Sequence, residues 1–443
     1  MPKHVIIGNG IAGITVARQL RKLSKDDILV ISAESDYFFS RPALMYYFMG
    51  HMSEQALKPY EDWFWEKNKI QLKKAYVQHV DVNSKMLKLD SGEMVSYDTL
   101  VFATGSHAVK GNWHGSHFSG IQSLISIQDV YALEENIKNV SEAVVAGGGL
   151  IGVELVEMLL SRNIAVTFLV REFKFWNRVL PPEESQLLEK HIRDDHGVDL
   201  RVGTEIKDIQ GDAEGRISGL STSDGQKLLC QFLGVTIGVA PNIGFLESSG
   251  IETSKGVLVN AFFETNVPDV YAIGDCAEFR HQIGDRPRIE QIWYTGKMHG
   301  EALAYTLAGK RTEYKPVNFF NSAKIFDIEY QVYSRKVVIP YECQSVFWSD
   351  DYMRKSIRVF FDPQTKRFEG ITVLGIRLRH EVCDRWLREE RSLEYVVEHL
   401  SDARFDPEFY PGLEQKIVDV YNLMFDKNLK LKKRNWKRIF QLK

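Results

Sequence analysis

After His4 the chain runs apolar through VII at residues 5–7, gives way to a glycine-rich turn, and resumes apolar positions at helical spacing in ITVARQLRKL at residues 14–23. A second apolar run, DILVISAE at residues 27–34, closes on Glu34. Short continuous apolar runs on either side of a helical period predict two buried parallel strands joined by a helix. The same grammar returns in AVVAG (143–147), LIGVELVEMLLSR (150–162) and AVTFLV (165–170). Between the two, AYVQHVDVNSKMLKLDSGEMVSYDTLVFATG (75–105) reads as strands split by the turn pairs NS and SG, which predicts a meander. From Asn318 onward the pattern changes. FFNSAKIFDIEYQVYS and SIRVFFDPQTKRFEGITVLGIR, with a turn at Asp362 and Pro363, read as an antiparallel sheet, and HEVCDRWLREE as the helix after it.

Each predicted strand-to-helix junction carries a glycine motif, GNGIAG at residues 8–13 and GGGLIG at residues 147–152. Together they predict two dinucleotide sites. Gly8 permits the tight turn, Gly10 lets backbone N–H groups approach a pyrophosphate, and Gly13 lets helix and strand pack closely. Glu34, about 20 residues beyond the last glycine, is placed to accept bonds from ribose hydroxyls. Gly147, Gly149 and Gly152 repeat the glycine roles. At the tip of the second strand, however, Val170 is followed by Arg171, with Lys174 and Arg178 close behind. Cations without a carboxylate at the tip favour a 2′-phosphate and hence NADPH, but Glu172 lies among them, so NADH and NADPH both stay open.

With these motifs the chain resembles the FAD-dependent pyridine-nucleotide oxidoreductases, in the branch of rubredoxin and ferredoxin reductases, the large subunit of nitrite reductase, and apoptosis-inducing factor. The resemblance spans about residues 3–318. It includes YDTLVFATGS (97–106), similar to the family's hinge strand, TIGVAPN (236–242), similar to its nicotinamide-domain signature, and TNVPDVYAIGDCAE (265–278), similar to the second FAD signature. It implies an α/β fold with two Rossmann-like domains of the glutathione-reductase type and an α+β C-terminal domain. The nested plan puts the FAD domain at residues 1–112 and 252–318, the NAD(P)H domain at 113–251, the C-terminal domain at 319–426 and a basic tail at 427–443. The resemblance implies FAD contacts at Gly8, Gly10, Ala12, Gly13, Glu34, Arg41, Val77, Thr104, Gly105, Gly274, Asp275 and Trp293. It implies NAD(P)H contacts at Gly147, Gly149, Ile151, Gly152, Arg171 and Gly238. Asp275, delivered to a helix start by the strand VYAIG, is expected to accept bonds from ribityl hydroxyls, to cap that helix, or both.

The resemblance also fixes what to look for in the cysteines. Disulfide reductases of this superfamily place CxxxxC after the first FAD unit, and NADH oxidases a single reactive cysteine. The matching stretch here is YFFSRPALMYYFMG (37–50), with Arg41 at the oxidase cysteine position. Without a thiol relay, electrons leave reduced flavin directly, to a one-electron carrier or a small oxidant. Arg41 is expected at the FAD pyrophosphate or near the isoalloxazine, because guanidinium binds phosphate bidentately. The branch has a lysine five residues later, near the flavin and paired with the glutamate that Glu154 matches; here that lysine position is Tyr46. A phenol supplies hydrogen bonds but no positive charge, so Tyr46 either tunes the flavin potential or merely packs in its aromatic cluster. Trp293 either stands beside the flavin ring or is helix core.

Composition bounds the rest. The 443 residues suffice for two to four domains, and no apolar run approaches the ~18 residues of a membrane span. A strand starting at His4 leaves no room for a leader, so cytoplasmic residence is expected. Cys230, Cys276, Cys343 and Cys383 are too scattered for a disulfide framework or metal knuckle and are expected to be buried thiols. His107, His114 and His117 read as ordinary loop histidines, and no metal is expected. The tail at residues 427–443 holds eight Lys or Arg and no acid, leaving the remainder of this −3 chain at −11. Its interleaved Leu429, Leu431, Trp436, Ile439, Phe440 and Leu442 suit an anionic membrane surface, an acidic redox protein, another subunit, or a solvated tail. No recognised nucleic-acid-binding fold accompanies the charge. The activity expected is electron transfer from NAD(P)H through FAD to rubredoxin, ferredoxin or an iron-sulfur subunit. The alternatives are a peripheral NADH:quinone oxidoreductase and a low-turnover flavoprotein that senses redox state or binds partners.

Overall fold

In the computed structural model, which describes residues 1–337, 343–406 and 412–432, the chain forms two compact units. One comprises Met1–Leu169 and Glu205–Lys315, the other Val170–Thr204 and Pro316–Lys443.

The first unit is built on the apolar runs that open the chain. Strand Lys3–Ile7 lies at the centre of a five-stranded sheet, pairing in parallel with Asp27–Ser32 on one side and Thr99–Phe102 on the other. Ile70–Lys74 and Val270–Ala272 complete it at the edges. Val5, Ile6, Val101 and Phe102 are fully buried, as strands covered on both faces require. Helix Ile11–Leu23 buries Ile14, Val16, Ala17 and Leu20 and packs on helix Trp293–Leu307. The two come close because Gly300 has no side chain; a Cβ there would lie 2.7 Å from Ala12 O. The expected meander is present as Val77–Asp81, Met86–Leu89 and Met94–Ser96. Asp81 Oδ1 accepts from the amides of Asn83 and Ser84 at the first turn, and Gly92 takes φ +85° at the second.

A second parallel sheet runs Ala165–Val170, Glu142–Ala146, Phe232–Val235 and Ile121–Gln122. Beside it lies an antiparallel sheet of Ile206–Gly211, Ile217–Thr222 and Lys227–Leu229. The strands Ser106–Ala108 and Val239–Pro241 pair antiparallel where the chain passes between the two parallel sheets.

The second unit holds a five-stranded antiparallel sheet in the order Phe319–Ile325, Ile328–Ser334, Phe368–Leu374, Ser356–Phe361, Gln344–Ser349. Helix His380–Arg388 buries Val382, Cys383, Trp386 and Leu387, one face of its period, in the same core as Phe361, Phe368 and Ile371. Arg358 is bound bidentately by Glu184 of helix Pro182–Lys190 (2.7 and 2.9 Å), with both side chains buried. Of the basic tail, Leu429 and Leu431 pack against this core and Lys432 pairs with Glu398 at 2.7 Å. Trp436, Ile439, Phe440 and Leu442 lie outside the described residues. Among the described residues no helix is long and apolar enough to cross a membrane.

Candidate functional site

The first glycine turn owes its composition to backbone crowding. Gly8 has φ +113°, and a Cβ on it would fall 2.1 Å from Ala103 O. A Cβ on Gly13 would fall 2.1 Å from Gly8 O. Gly10 differs, because a Cβ there would meet nothing within 4 Å, so its side of the turn opens outward. It caps helix Ile11–Leu23 without any side-chain hydrogen bond to the helix start. An open approach to a helix N-terminus, where amides and dipole favour anions, fits a pyrophosphate.

Charged and polar groups surround this turn. Glu34 accepts from Arg41 Nη1 (3.0 Å) and Nη2 (2.6 Å) and from Ile127 N (3.1 Å), so the two side chains expected on ribose and phosphate are paired with each other. Arg41 also donates to Ile125 O. Asp275 lies within the single 3-10 turn Gly274–Cys276, not at the start of a helix as the strand-to-helix pattern suggested. Burial raises its carboxyl, opposed by a hydrogen bond from Ser106 Oγ (3.1 Å) and by the charge of Arg41. Gly274 takes φ +69° and sits on Ala12, where a Cβ would meet the Ala12 Cβ at 2.9 Å. Thr104 Oγ1 donates to Asn242 O (2.7 Å), and Gly105, with φ +67°, accepts from Asn242 N (2.9 Å). Val77 is buried at the start of its strand, and Trp293 opens its helix 39% exposed, so it is not helix core.

Sequence reading missed three features. Asn9, between the first two glycines, is buried; its Nδ2 donates to Ser35 O, Ser35 Oγ and Tyr37 O, and its Oδ1 accepts from Ser32 Oγ. A buried amide flanked by glycines is the signal that marks it. His299 accepts the Gly274 amide at Nδ1 (3.2 Å) and holds the Asp275 turn. Burial, then the charge of Arg286, pushes its pKa down to about 3, so it is a neutral acceptor. Nothing in its spacing announces that role. Segment 125–128 also reaches this site, since Gln128 Nε2 donates to Glu34 O (2.7 Å) in addition to the Ile125 and Ile127 contacts.

The second turn repeats the steric solution. Gly147 has φ +116° with its missing Cβ 2.3 Å from Thr236 O, and that of Gly152 lies 2.0 Å from Gly147 O. Gly149 faces open space and caps helix Leu150–Leu160 without a side-chain bond. Ile151 is half-buried on that helix, and Gly238 takes φ +137° with open space around it. Glu154 projects from the same helix, its carboxyl pushed up to about 7 by burial and then by Glu157. Helix Leu44–Phe48, which carries the half-buried Tyr46, packs on this helix, and Arg162 Nη2 donates to Phe48 O (2.7 Å). In the other unit Arg171 and Arg178 are exposed and both contact Glu172 Oε1, at 3.4 and 3.5 Å.

Cys230, Cys276 and Cys383 are free thiols, buried as expected, whereas Cys343 is only partly buried.

Both glycine turns lie inside the part of the chain that matches known proteins. The family model for pyridine nucleotide-disulphide oxidoreductases matches residues 2–300. The rubredoxin-NAD(+) reductase of Acinetobacter baylyi is 29% identical over 70% of this chain and 79% of its own length. The ferredoxin reductase component of chlorobenzene dioxygenase from a Cupriavidus species is 30% identical over 70% of this chain and 75% of its own. Among solved structures, the ferredoxin reductase for the CYP199A2 system of Rhodopseudomonas palustris matches with a TM-score of 0.78 and 22% identity, covering 95% of this chain and 99% of that one. The chain belongs to the pyridine nucleotide-disulphide oxidoreductase family.

Proposed function

We propose that this chain is an FAD-dependent NAD(P)H oxidoreductase that delivers electrons from its flavin to a small electron-carrier protein without a redox-active disulfide. The burial of three of the four cysteines, Cys230, Cys276 and Cys383, carries the proposal. Burial raises the thiols of Cys230, to about 12, and of Cys276 and Cys383. A thiol relay needs an accessible thiolate with a depressed pKa beside a partner sulfur, the opposite of this environment. When bound, FAD takes up a hydride from reduced nicotinamide and can release electrons one at a time.

The chain's own residues position and tune. Gly10 and Gly149 leave room for pyrophosphates at two helix N-termini. Glu34 turns to ribose and Arg41 to phosphate once their mutual pair opens, an inexpensive exchange because an exposed ion pair contributes about 0–1 kcal/mol. Asp275, held by Ser106 and its turn, accepts bonds from hydroxyls. Glu154 holds or gives up a proton near neutral pH, and Tyr46 offers a hydroxyl without a charge. Arg171 and Arg178 are available to a 2′-phosphate at the expense of Glu172, so both coenzymes enter the test.

The names of the relatives, rubredoxin and ferredoxin reductases, favour a carrier of that type as acceptor. A peripheral membrane role has less support, because Leu429 and Leu431 of the basic segment pack, partly buried, against the core. Anaerobic turnover of the purified protein with NADH or NADPH and a rubredoxin or a ferredoxin tests the proposal. Carrier reduction far faster than the aerobic oxidase rate supports it, and carrier reduction no faster than that rate with either protein overturns it. Flotation of the full-length chain with anionic liposomes would instead favour a quinone acceptor.

A further inference from the structure

Far along the chain from both glycine motifs, three side chains of the second unit converge. His191 Nε2 lies 2.6 Å from Asp327 Oδ1, His196 Nε2 lies 3.0 Å from the same oxygen, and the two Nε2 atoms are 3.1 Å apart. Three points with these edges lie about 1.7 Å from their common centre. A cation about 1.2 Å off their plane therefore reaches all three at the 2.0–2.1 Å of a zinc–nitrogen or short zinc–oxygen bond.

The local structure aims these atoms. On an α-helix, residues five apart point about 140° away from each other. Here His191–Asp195 forms a π-helical turn, whose i→i+5 bonding puts more residues in each turn and helps bring His191 and His196 to one side. Asp327 stands in the two-residue turn between strands Phe319–Ile325 and Ile328–Ser334. Phe326 in that turn stacks on the His196 ring, with centroids 4.2 Å apart.

A second, independent observation points to a ligand. His191 is 2% exposed, and its other nitrogen, Nδ1, lies 2.7 Å from Asp195 Oδ2, while Asp195 Oδ1 is held by Arg354 at 3.1 Å. A carboxylate on Nδ1 selects the tautomer that presents the Nε2 lone pair, as carboxylates behind metal-bound histidines do. His191 is thus flanked by carboxylates on both ring nitrogens, at 2.7 Å from Asp195 and 2.6 Å from Asp327, and a cation between Nε2 and Asp327 takes the place of the proton that would otherwise bridge them.

We propose that His191 Nε2, His196 Nε2 and Asp327 Oδ1 bind a divalent transition cation of the zinc class. Two imidazoles and one carboxylate favour zinc, cobalt or nickel over magnesium or calcium, which prefer oxygen donors. Asp327 is largely exposed, so a fourth ligand position faces solvent. The ion fastens the helical segment at residues 182–196 to the turn of the C-terminal hairpin.

The test uses the full-length, FAD-loaded protein, freed of metal by a chelator and titrated with Co2+. Absorption is followed at wavelengths beyond the flavin bands, with Zn2+ as competitor. One Co2+ per chain, with the intense ligand-field bands of low coordination and displacement by Zn2+, is the expected result. His196→Gln and Asp327→Asn should each weaken binding by about 100-fold or more, and Asp195→Asn by about 10–100-fold. Zn2+ should raise the thermal midpoint of the parent protein and not of the two ligand variants, whose metal-free midpoints show that they fold. Absence of a stoichiometric cobalt spectrum, or equal affinity in parent and ligand variants, would overturn the proposal and leave only hydrogen bonds among the two histidines and Asp327.

Discussion

In the first turn the Cβ that Gly8 lacks would fall 2.1 Å from Ala103 O; in the second, that of Gly147 would fall 2.3 Å from Thr236 O. Gly13 and Gly152 repeat one another against the carbonyl of the first glycine, and Gly10 and Gly149 both face open space. The backbones are thus near copies, but their surroundings diverge. Around the first turn, Glu34, Arg41 and Asp275 are joined through hydrogen bonds and charge. By the second, burial and Glu157 push the carboxyl of Glu154 toward its neutral form. Backbone geometry therefore gives both turns the same open approach to a helix N-terminus, and the side chains around them differ.

The largest effect that can break this comparison comes from filling the crowded positions. Gly8→Ala and Gly147→Ala should each destabilise by about 4 kcal/mol or more, since a methyl group is forced against a backbone oxygen at a left-handed φ. Urea unfolding checks this, and a wild-type midpoint in either variant would show that the turns are not constrained as described. Next comes the acid that sets the second site apart. The Glu154 carboxyl is raised from 4.5 to about 7 in the folded protein. The unfolded chain thus loses this proton first, and the residue's contribution to stability falls as pH rises from about 4.5 to about 7. Glu154→Gln should accordingly gain up to about 3 kcal/mol over the parent at pH 8 and little at pH 4.5. Denaturant curves at the two pH values decide it, and a pH-independent difference would contradict the assignment.

Smaller effects on folding sharpen the contrast between crowded and open glycines. Gly10→Ala and Gly149→Ala should cost about 1 kcal/mol of stability, as alanine is a poor N-cap. Gly10→Ala should mainly lower FAD retention and Gly149→Ala mainly raise the coenzyme KM. Equal losses of both in both variants would remove the distinction between the turns. Smallest of all, Arg41→Gln should change stability by no more than about 1 kcal/mol, because its pair with Glu34 is partly exposed, while weakening FAD binding by equilibrium dialysis.

Much of this was legible in the sequence because it depends on local constraints. Continuous apolar runs announced the parallel strands, the NS and SG pairs announced the meander, and the glycines announced both turns. What escaped depends on contacts between residues far apart in the chain. Asn9 is marked only weakly by its neighbours, and His299 acts through a backbone amide 25 positions away. The pairing of Glu34 with Arg41 and the approach of Ile127 likewise follow from tertiary packing. The convergence of His191, His196 and Asp327 joins residues 136 positions apart at the limit, and no spacing rule reaches that far.

The most direct test of the central claim is an anaerobic titration of the FAD-loaded protein with NADH and, separately, NADPH, following flavin absorbance. Rapid bleaching to completion by about one equivalent of at least one coenzyme is the predicted result, consistent with a flavin that takes up two electrons and no disulfide that takes up two more. Failure of both coenzymes to bleach the flavin, or a requirement for a second equivalent, would contradict it.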